Sequence, residues 1–190
     1  MGRALLVIDY QNDFAAPDGA LSVTGGDAIA ERINDLMRSG NYDLVVATRD
    51  WHPADHGSFT EQGGTWPVHC VQETQGAQLH PELDAAVVDV IVDKGQDRGT
   101  DGYSGFDGTN LAELLRERGI DQVTIVGLAT DYCVKNTGLE ALQEGFAVTV
   151  DTTAVRGVDV EPGDSERALQ EMEDAGARLA TSDEILAERA

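Results

Sequence analysis

Positive charge is scarce in this chain. Its 190 residues hold 13 Lys and Arg against 35 Asp and Glu, giving a net charge of −22 at pH 7. Only two of the cations are lysines, Lys94 and Lys135. Such a balance disfavours nucleic acid and anionic membranes, which are recognised through basic patches. Cysteine is scarce too: Cys70 and Cys133 make no disulfide framework. No apolar run is long enough to span a bilayer. No apolar leader precedes the first strand pattern, which predicts a cytoplasmic protein. Hydrophobic residues nevertheless make up 41% of the chain, enough for one packed domain over 1–190.

Taken in order, the pattern alternates strands with helices. Ala4 to Asp9 reads as a strand, Tyr10 to Gly26 as loop, and Asp27 to Arg38 as a helix with Ile29, Ile33, Leu36 and Met37 on one face. Asp43 to Thr48 is a second strand. Arg49 to Pro81 is a long segment rich in Gly, Pro and His, and loops of that length inside a compact domain are usually functional. Val87 to Asp93 is a third strand, running into Lys94 and a Gly/Asp loop to Gly108. Asn110 to Arg118 is a helix. The β-branched run Val123 to Val126 is a buried strand, followed by a helix over Asp131 to Gly145. Ala147 to Asp151 is a strand, Ser165 to Ala175 a helix, Arg178 to Ala180 a short sixth strand, and Ser182 to Glu188 a last helix capped by Ser182. This is an α/β pattern: a six-stranded, mainly parallel sheet flanked by helices in three layers. Ligands of such sheets bind at the carboxyl ends of the strands.

Four chemically capable side chains sit at those ends: Asp9, Asp50, Lys94 and Cys133. Cys133 stands where a strand turns into a helix, a place that favours a thiolate and offers free N–H groups to an oxyanion. The bland alternative is a small buried hydrophobe. A catalytic thiol needs a base and a cation; Asp9 and Lys94 are the candidates. Asp50 and His52 lie two apart in an extended segment and face the same way, and His69 can join them from the long loop. Two imidazoles and a carboxylate with open positions suit zinc, iron or manganese. His56 or Glu61 can supply a fourth ligand; alternatively these histidines only hydrogen-bond within a polar loop. Phe14, Trp66 and Tyr103 fall near the same rim, where a flat ring substrate would find walls. Cys70 reads as packing.

Several motifs recur together: Val7-Ile8-Asp9-Tyr10-Gln11-Asn12-Asp13-Phe14, Thr48-Arg49-Asp50-Trp51-His52-Pro53 and Trp66-Pro67-Val68-His69-Cys70-Val71. They are followed by Lys94-Gly95, Tyr103-Ser104-Gly105-Phe106 and Gly127-Leu128-Ala129-Thr130-Asp131-Tyr132-Cys133. In this order the set resembles the nicotinamidase (pyrazinamidase) branch of the isochorismatase-like cysteine hydrolases. The resemblance implies an isochorismatase-like fold and hydrolysis of nicotinamide, and of pyrazinamide, to the acid and ammonia in NAD salvage. It implies Asp9 as base and acid, Lys94 as electrostatic support and Cys133 as nucleophile. It further implies Ala129 and Cys133 as backbone oxyanion donors, a cis Leu128–Ala129 peptide, and Phe14, Trp66 and Tyr103 as ring contacts. It makes Asp50, His52 and His69 ligands of one divalent ion, zinc first, with iron or manganese as alternatives and His56 as a candidate fourth ligand. The partner implied is nicotinamide, with no nucleic acid and no membrane; a homo-oligomer is allowed. Glu73-Thr74 stands where the family commonly has Gly-Thr, a departure in the local turn. The rivals are a related small-amide hydrolase, a metallohydrolase whose nucleophile is metal-bound water, and a non-catalytic ligand-binding domain.

Overall fold

A computed structural model describes residues 1–188. Its strands are β1 (Gly2–Ile8), β2 (Leu44–Asp50), β3 (Val90–Lys94), β4 (Ile120–Leu128), β5 (Ala147–Arg156) and β6 (Arg178–Ala180). They form one six-stranded sheet in the order β3-β2-β1-β4-β5-β6, and every pairing is parallel. The helices are α1 (Asn12–Ala15), α2 (Ala30–Arg38), α3 (Leu111–Glu117), α4 (Lys135–Gln143), α5 (Asp164–Asp174) and α6 (Ser182–Ala187). Strand order reverses direction between β1 and β4, the crevice where doubly wound sheets bind ligands.

β1 is central and covered on both faces, so its sequence is an unbroken apolar run rather than an alternation. Leu5 and Val7 join one core with Ile29, Ile33 and Leu36; Ala4, Leu6 and Ile8 join the other with Leu111, Leu115, Ile125 and Val134. Among the described residues no helix is long and apolar enough to cross a membrane.

Several boundaries differ from the sequence pattern. The segment from Tyr10 to Gly26 contains the short helix α1. The first turn of the next helix, Asp27–Ile29, is wound as a 3-10 turn. Ala85–Val87 is also a 3-10 turn, so β3 starts later than its apolar run suggests. β5 continues to Arg156 through an irregularity: Ile125 pairs with Val150, but Gly127 already pairs with Val155. Asp151 makes that irregularity tenable. Its Oδ1 accepts the Thr153 N–H (2.9 Å), the Thr153 hydroxyl (2.8 Å) and the Ala154 N–H (3.1 Å).

The cap of α6 is Thr181, not Ser182. Thr181 and Glu184 form a reciprocal capping box, which frees Ser182 to turn inward and donate its hydroxyl to Asp151 Oδ2 at 2.5 Å. Asp151 therefore ties α6 to the sheet. Replacing Asp151 with Ala orphans several buried donors, each worth about 1–3 kcal/mol. Asp151→Ala is predicted to lose about 3 kcal/mol of stability, read as a lower urea midpoint at unchanged slope.

Candidate active site

The end of β1 turns sharply: Asp9 has φ 48°, a left-handed conformation that Asp tolerates better than most residues. Its carboxylate is fully buried. Thr48, near the end of β2, donates its hydroxyl to Asp9 Oδ1 at 2.7 Å. The other oxygen, Oδ2, faces Lys94. Asp50 and Lys94 are register partners at the ends of β2 and β3, so both side chains leave the sheet together. The Lys94 ammonium is buried and aims its N–H groups at Asp50 Oδ1 (2.5 Å), the Gly102 carbonyl (3.0 Å) and Cys133 Sγ (3.4 Å). Asp9 Oδ2 lies 2.8 Å from Nζ, so the two buried carboxylates share one ammonium. The Cys133 thiol is close by: oxygens of Asp9 and Asp50 and the Cys133 sulfur all lie within 4.8 Å of one another.

Cys133 does not stand in the first turn of an α-helix. Thr130–Val134 is a wide π turn, in which the Val134 N–H reaches back to the Ala129 carbonyl (3.1 Å), and α4 begins at Lys135. The expected preference for thiolate is reversed as well. Burial pushes the thiol well above its ordinary value; Lys94 opposes this, and the Asp9 and Asp50 carboxylates add to it. The resting sulfur is a thiol that needs a base. Burial likewise raises Asp9 above the usual carboxylate range, against the pull of Lys94, which makes it a better proton acceptor. Burial alone would lower Lys94, but Asp50 and Asp9 outweigh it and hold the ammonium charged. Burial would raise Asp50, yet Lys94 and then His52 keep it below the usual range.

Asp50 turns its second oxygen away from Lys94. Oδ2 lies 3.3 Å from His52 Nε2 and 3.9 Å from His69 Nε2, and donor atoms of the three residues fall within 4.8 Å of one another. Both rings are oriented from behind. His52 Nδ1 donates to the Gly95 carbonyl at 2.7 Å and His69 Nδ1 to the Pro67 carbonyl at 2.8 Å. Those bonds fix the tautomer that leaves each Nε2 lone pair facing Asp50, the usual support of a metal-bound imidazole. Gly95 permits this approach: at φ 66°, a Cβ there would sit 2.6 Å from the His52 ring. The trio fits a divalent cation with open positions. His56, the candidate fourth ligand, lies against His52 at the edge of the trio. Its ring stacks on His52 with centroids 4.0 Å apart, its Nδ1 meets Ser58 Oγ at 2.7 Å, and its Nε2 is buried without a partner. Glu61 is exposed on the turn Thr60–Gln62.

Thiol and trio line one cavity, together with Phe14, Trp66 and Tyr103 as expected and with Ala129. The Leu128–Ala129 peptide is cis. Sequence reasoning missed other members. Tyr132 packs edge-on against Trp66 (5.0 Å), whose Nε1 donates to the Tyr103 hydroxyl (3.1 Å). Leu21, Val23 and Val158 complete the apolar wall. Gln11 clamps the end of β2, donating to the Asp50 carbonyl (2.8 Å) and accepting the Asp50 N–H (2.9 Å). Strand alternation held a signal for two of these: Gln11 follows Asp9, and Thr48 precedes Asp50, by two residues.

A buried thiol, carboxylate and ammonium at the carboxyl edge of a parallel sheet, with a carboxylate and two imidazoles beside them, mark a hydrolase with a candidate metal site. The Isochorismatase domain family matches residues 3–184, and the chain belongs to it. It is similar to the nicotinamidase of Escherichia coli (44% identity, covering 94% of each chain). It is also similar to the structure of PnC1 from L. infantum in complex with nicotinate (TM-score 0.91, 37% identity, 96% of this chain and 93% of that one). The pyrazinamidase of Pyrococcus horikoshii in complex with zinc superposes at a TM-score of 0.85 with 44% identity, over 95% of this chain and 99% of that one.

Lys94→Met strands Asp9 and Asp50 as buried carboxylates without a cation, and a loss of about 3–5 kcal/mol at neutral pH is expected. The sign with pH follows from the shifts. Lys94, raised, contributes at every pH below its ordinary 10.5. Without it both carboxyls take up protons more readily, so the penalty shrinks as pH falls toward about 5. Urea unfolding of the metal-free variant at both pH values checks this; an equal loss at both would mean the ion cluster is not its source.

Proposed function

We propose that the chain is a nicotinamidase, an amidohydrolase that converts nicotinamide to nicotinate and ammonia, accepts pyrazinamide, and serves the salvage of nicotinamide toward NAD. The support comes from the relatives' names at high identity over nearly the whole chain and from one observation above all: the buried Asp9 carboxylate, Lys94 ammonium and Cys133 thiol meet at one sheet edge.

The steps follow from the groups in hand. Asp9 takes the Cys133 proton as the sulfur attacks the amide carbon, and Lys94 stabilises the negative charge that appears on sulfur. The backbone N–H groups of Ala129 and Cys133 receive the oxyanion; one such donor is worth about 3 kcal/mol of barrier in other acyl-transfer enzymes. Asp9 returns its proton to the departing nitrogen, the C–N bond breaks, and ammonia leaves a thioester on Cys133. Water then adds to the thioester with Asp9 as base, and the acid and the free thiol are released. Asp50, His52 and His69 would hold a divalent ion, zinc first, with iron or manganese also suiting the donor set, and the ion would supply Lewis-acid chemistry toward a ring nitrogen. Phe14, Trp66 and Tyr103 bound the ring.

Cys133→Ala is expected to lower ammonia release from nicotinamide by at least about a thousandfold, with metal content unchanged; retained turnover would eliminate the thiol route and favour a metal-bound nucleophile. His52→Ala is expected to lose bound metal, measured by elemental analysis, and to raise KM more than it lowers kcat. Unchanged metal content in that variant would remove His52 from the ligand set.

A further inference from the structure

The loop after β5 reaches back over the cavity, and its hold there comes from a residue that the mechanism does not use. Asp131 lies in the π turn, two residues before Cys133, and only 8% of it is exposed. Among the described residues its side chain hydrogen-bonds to neither the ammonium nor the thiol. Instead Oδ1 accepts the Val158 N–H at 2.9 Å and Oδ2 the Asp159 N–H at 2.8 Å. Asp159, at φ 50°, continues the chain of contacts: its carboxylate accepts the N–H (2.8 Å) and the hydroxyl (2.9 Å) of Ser165 in α5. The loop packs closely on these side chains: a Cβ at Gly157 would lie 1.7 Å from Ser165 Oγ and 3.1 Å from Asp131 Oδ1. Held this way, Val158 lines the cavity together with the aromatic cluster.

We propose that Val158 is a specificity-determining wall of the ring pocket and that Asp131 is the positioning residue that sets it there, linking the nucleophile turn to the size of ring the pocket accepts. This rests on the nicotinamidase reading. Two N–H groups converging on one carboxylate need an acceptor at each oxygen. Asparagine offers one acceptor and points an NH2 group at the other N–H, so Asp131→Asn loosens Val158 without changing the volume of the turn. Val158→Ala enlarges the pocket directly. Both changes relax the same wall, so both should admit the same bulkier ring.

The test is ammonia release from nicotinamide and its 2-, 4-, 5- and 6-methyl derivatives. With Val158→Ala, at least one methyl isomer should gain about tenfold in kcat/KM relative to nicotinamide. Asp131→Asn should favour that same isomer, through KM more than kcat. The double variant should shift selectivity no further than Val158→Ala alone, because the two act on one contact. A purely structural Asp131 would lower Tm and slow all five substrates alike, and that result overturns its positioning role. Ratios unmoved within about twofold in Val158→Ala overturn the proposal outright, whether or not Asp131→Asn can be purified folded. Wild-type protein inactive on nicotinamide overturns the functional reading and this inference with it; active wild type with unmoved ratios overturns only the inference.

Discussion

The arrangement of the site depends on one buried ammonium. Lys94 lies between two carboxylates, a thiol and a carbonyl, and each of the four would be difficult to bury without it. A charge removed from water needs partners, and several kcal/mol are lost when one is missing. The cluster is therefore held together by mutual need. Its geometry assigns the parts: Lys94 compensates the charge of Asp9 at 2.8 Å, and the Cys133 sulfur lies beside both. Compensation lets the carboxylate exist in a dry site, while burial leaves it readier to take a proton.

Asp50 carries a second constraint. One of its oxygens belongs to the ammonium and the other to the histidines, so the catalytic groups and the metal trio are held in register by a single side chain. Gln11 grips that residue's backbone from the turn between β1 and α1, and the β1–β4 crevice supplies the space. The thiol, the trio, the aromatic cluster and Val158 all line one cavity.

Much of this was legible beforehand because strand ends are marked by chemistry. Asp9, Asp50 and Lys94 each follow an apolar run that can only be a strand, and the parallel fold then brings those ends to one rim. The His52 and His69 pair was legible from its spacing to Asp50 and from the motifs. The state of Cys133 was not. A place at a strand-to-helix turn argued for thiolate, but the turn is π-wound and the sulfur is enclosed, and desolvation outweighs the nearby ammonium. Burial is a property of everything packed around a residue, and no local pattern carries it. The same holds for Ser182, which reads as a cap but is drawn inward by Asp151.

By itself the amino-acid order determined the alternation of strands and helices, the six parallel strands, and the identity of the groups that meet at their ends. Those follow from periodicity and residue type, which act over a few neighbours in the chain. Tertiary structure alone decided that Asp50 faces both Lys94 and the histidines, how His56 lies against the trio, and that Asp131 holds Val158 at the pocket. The contacts of Lys94 with Asp50 and Cys133, and of Asp131 with Val158, are ångström-scale approaches between segments 27 to 44 residues apart, and only the packing of the whole sheet and its helices sets distances of that kind.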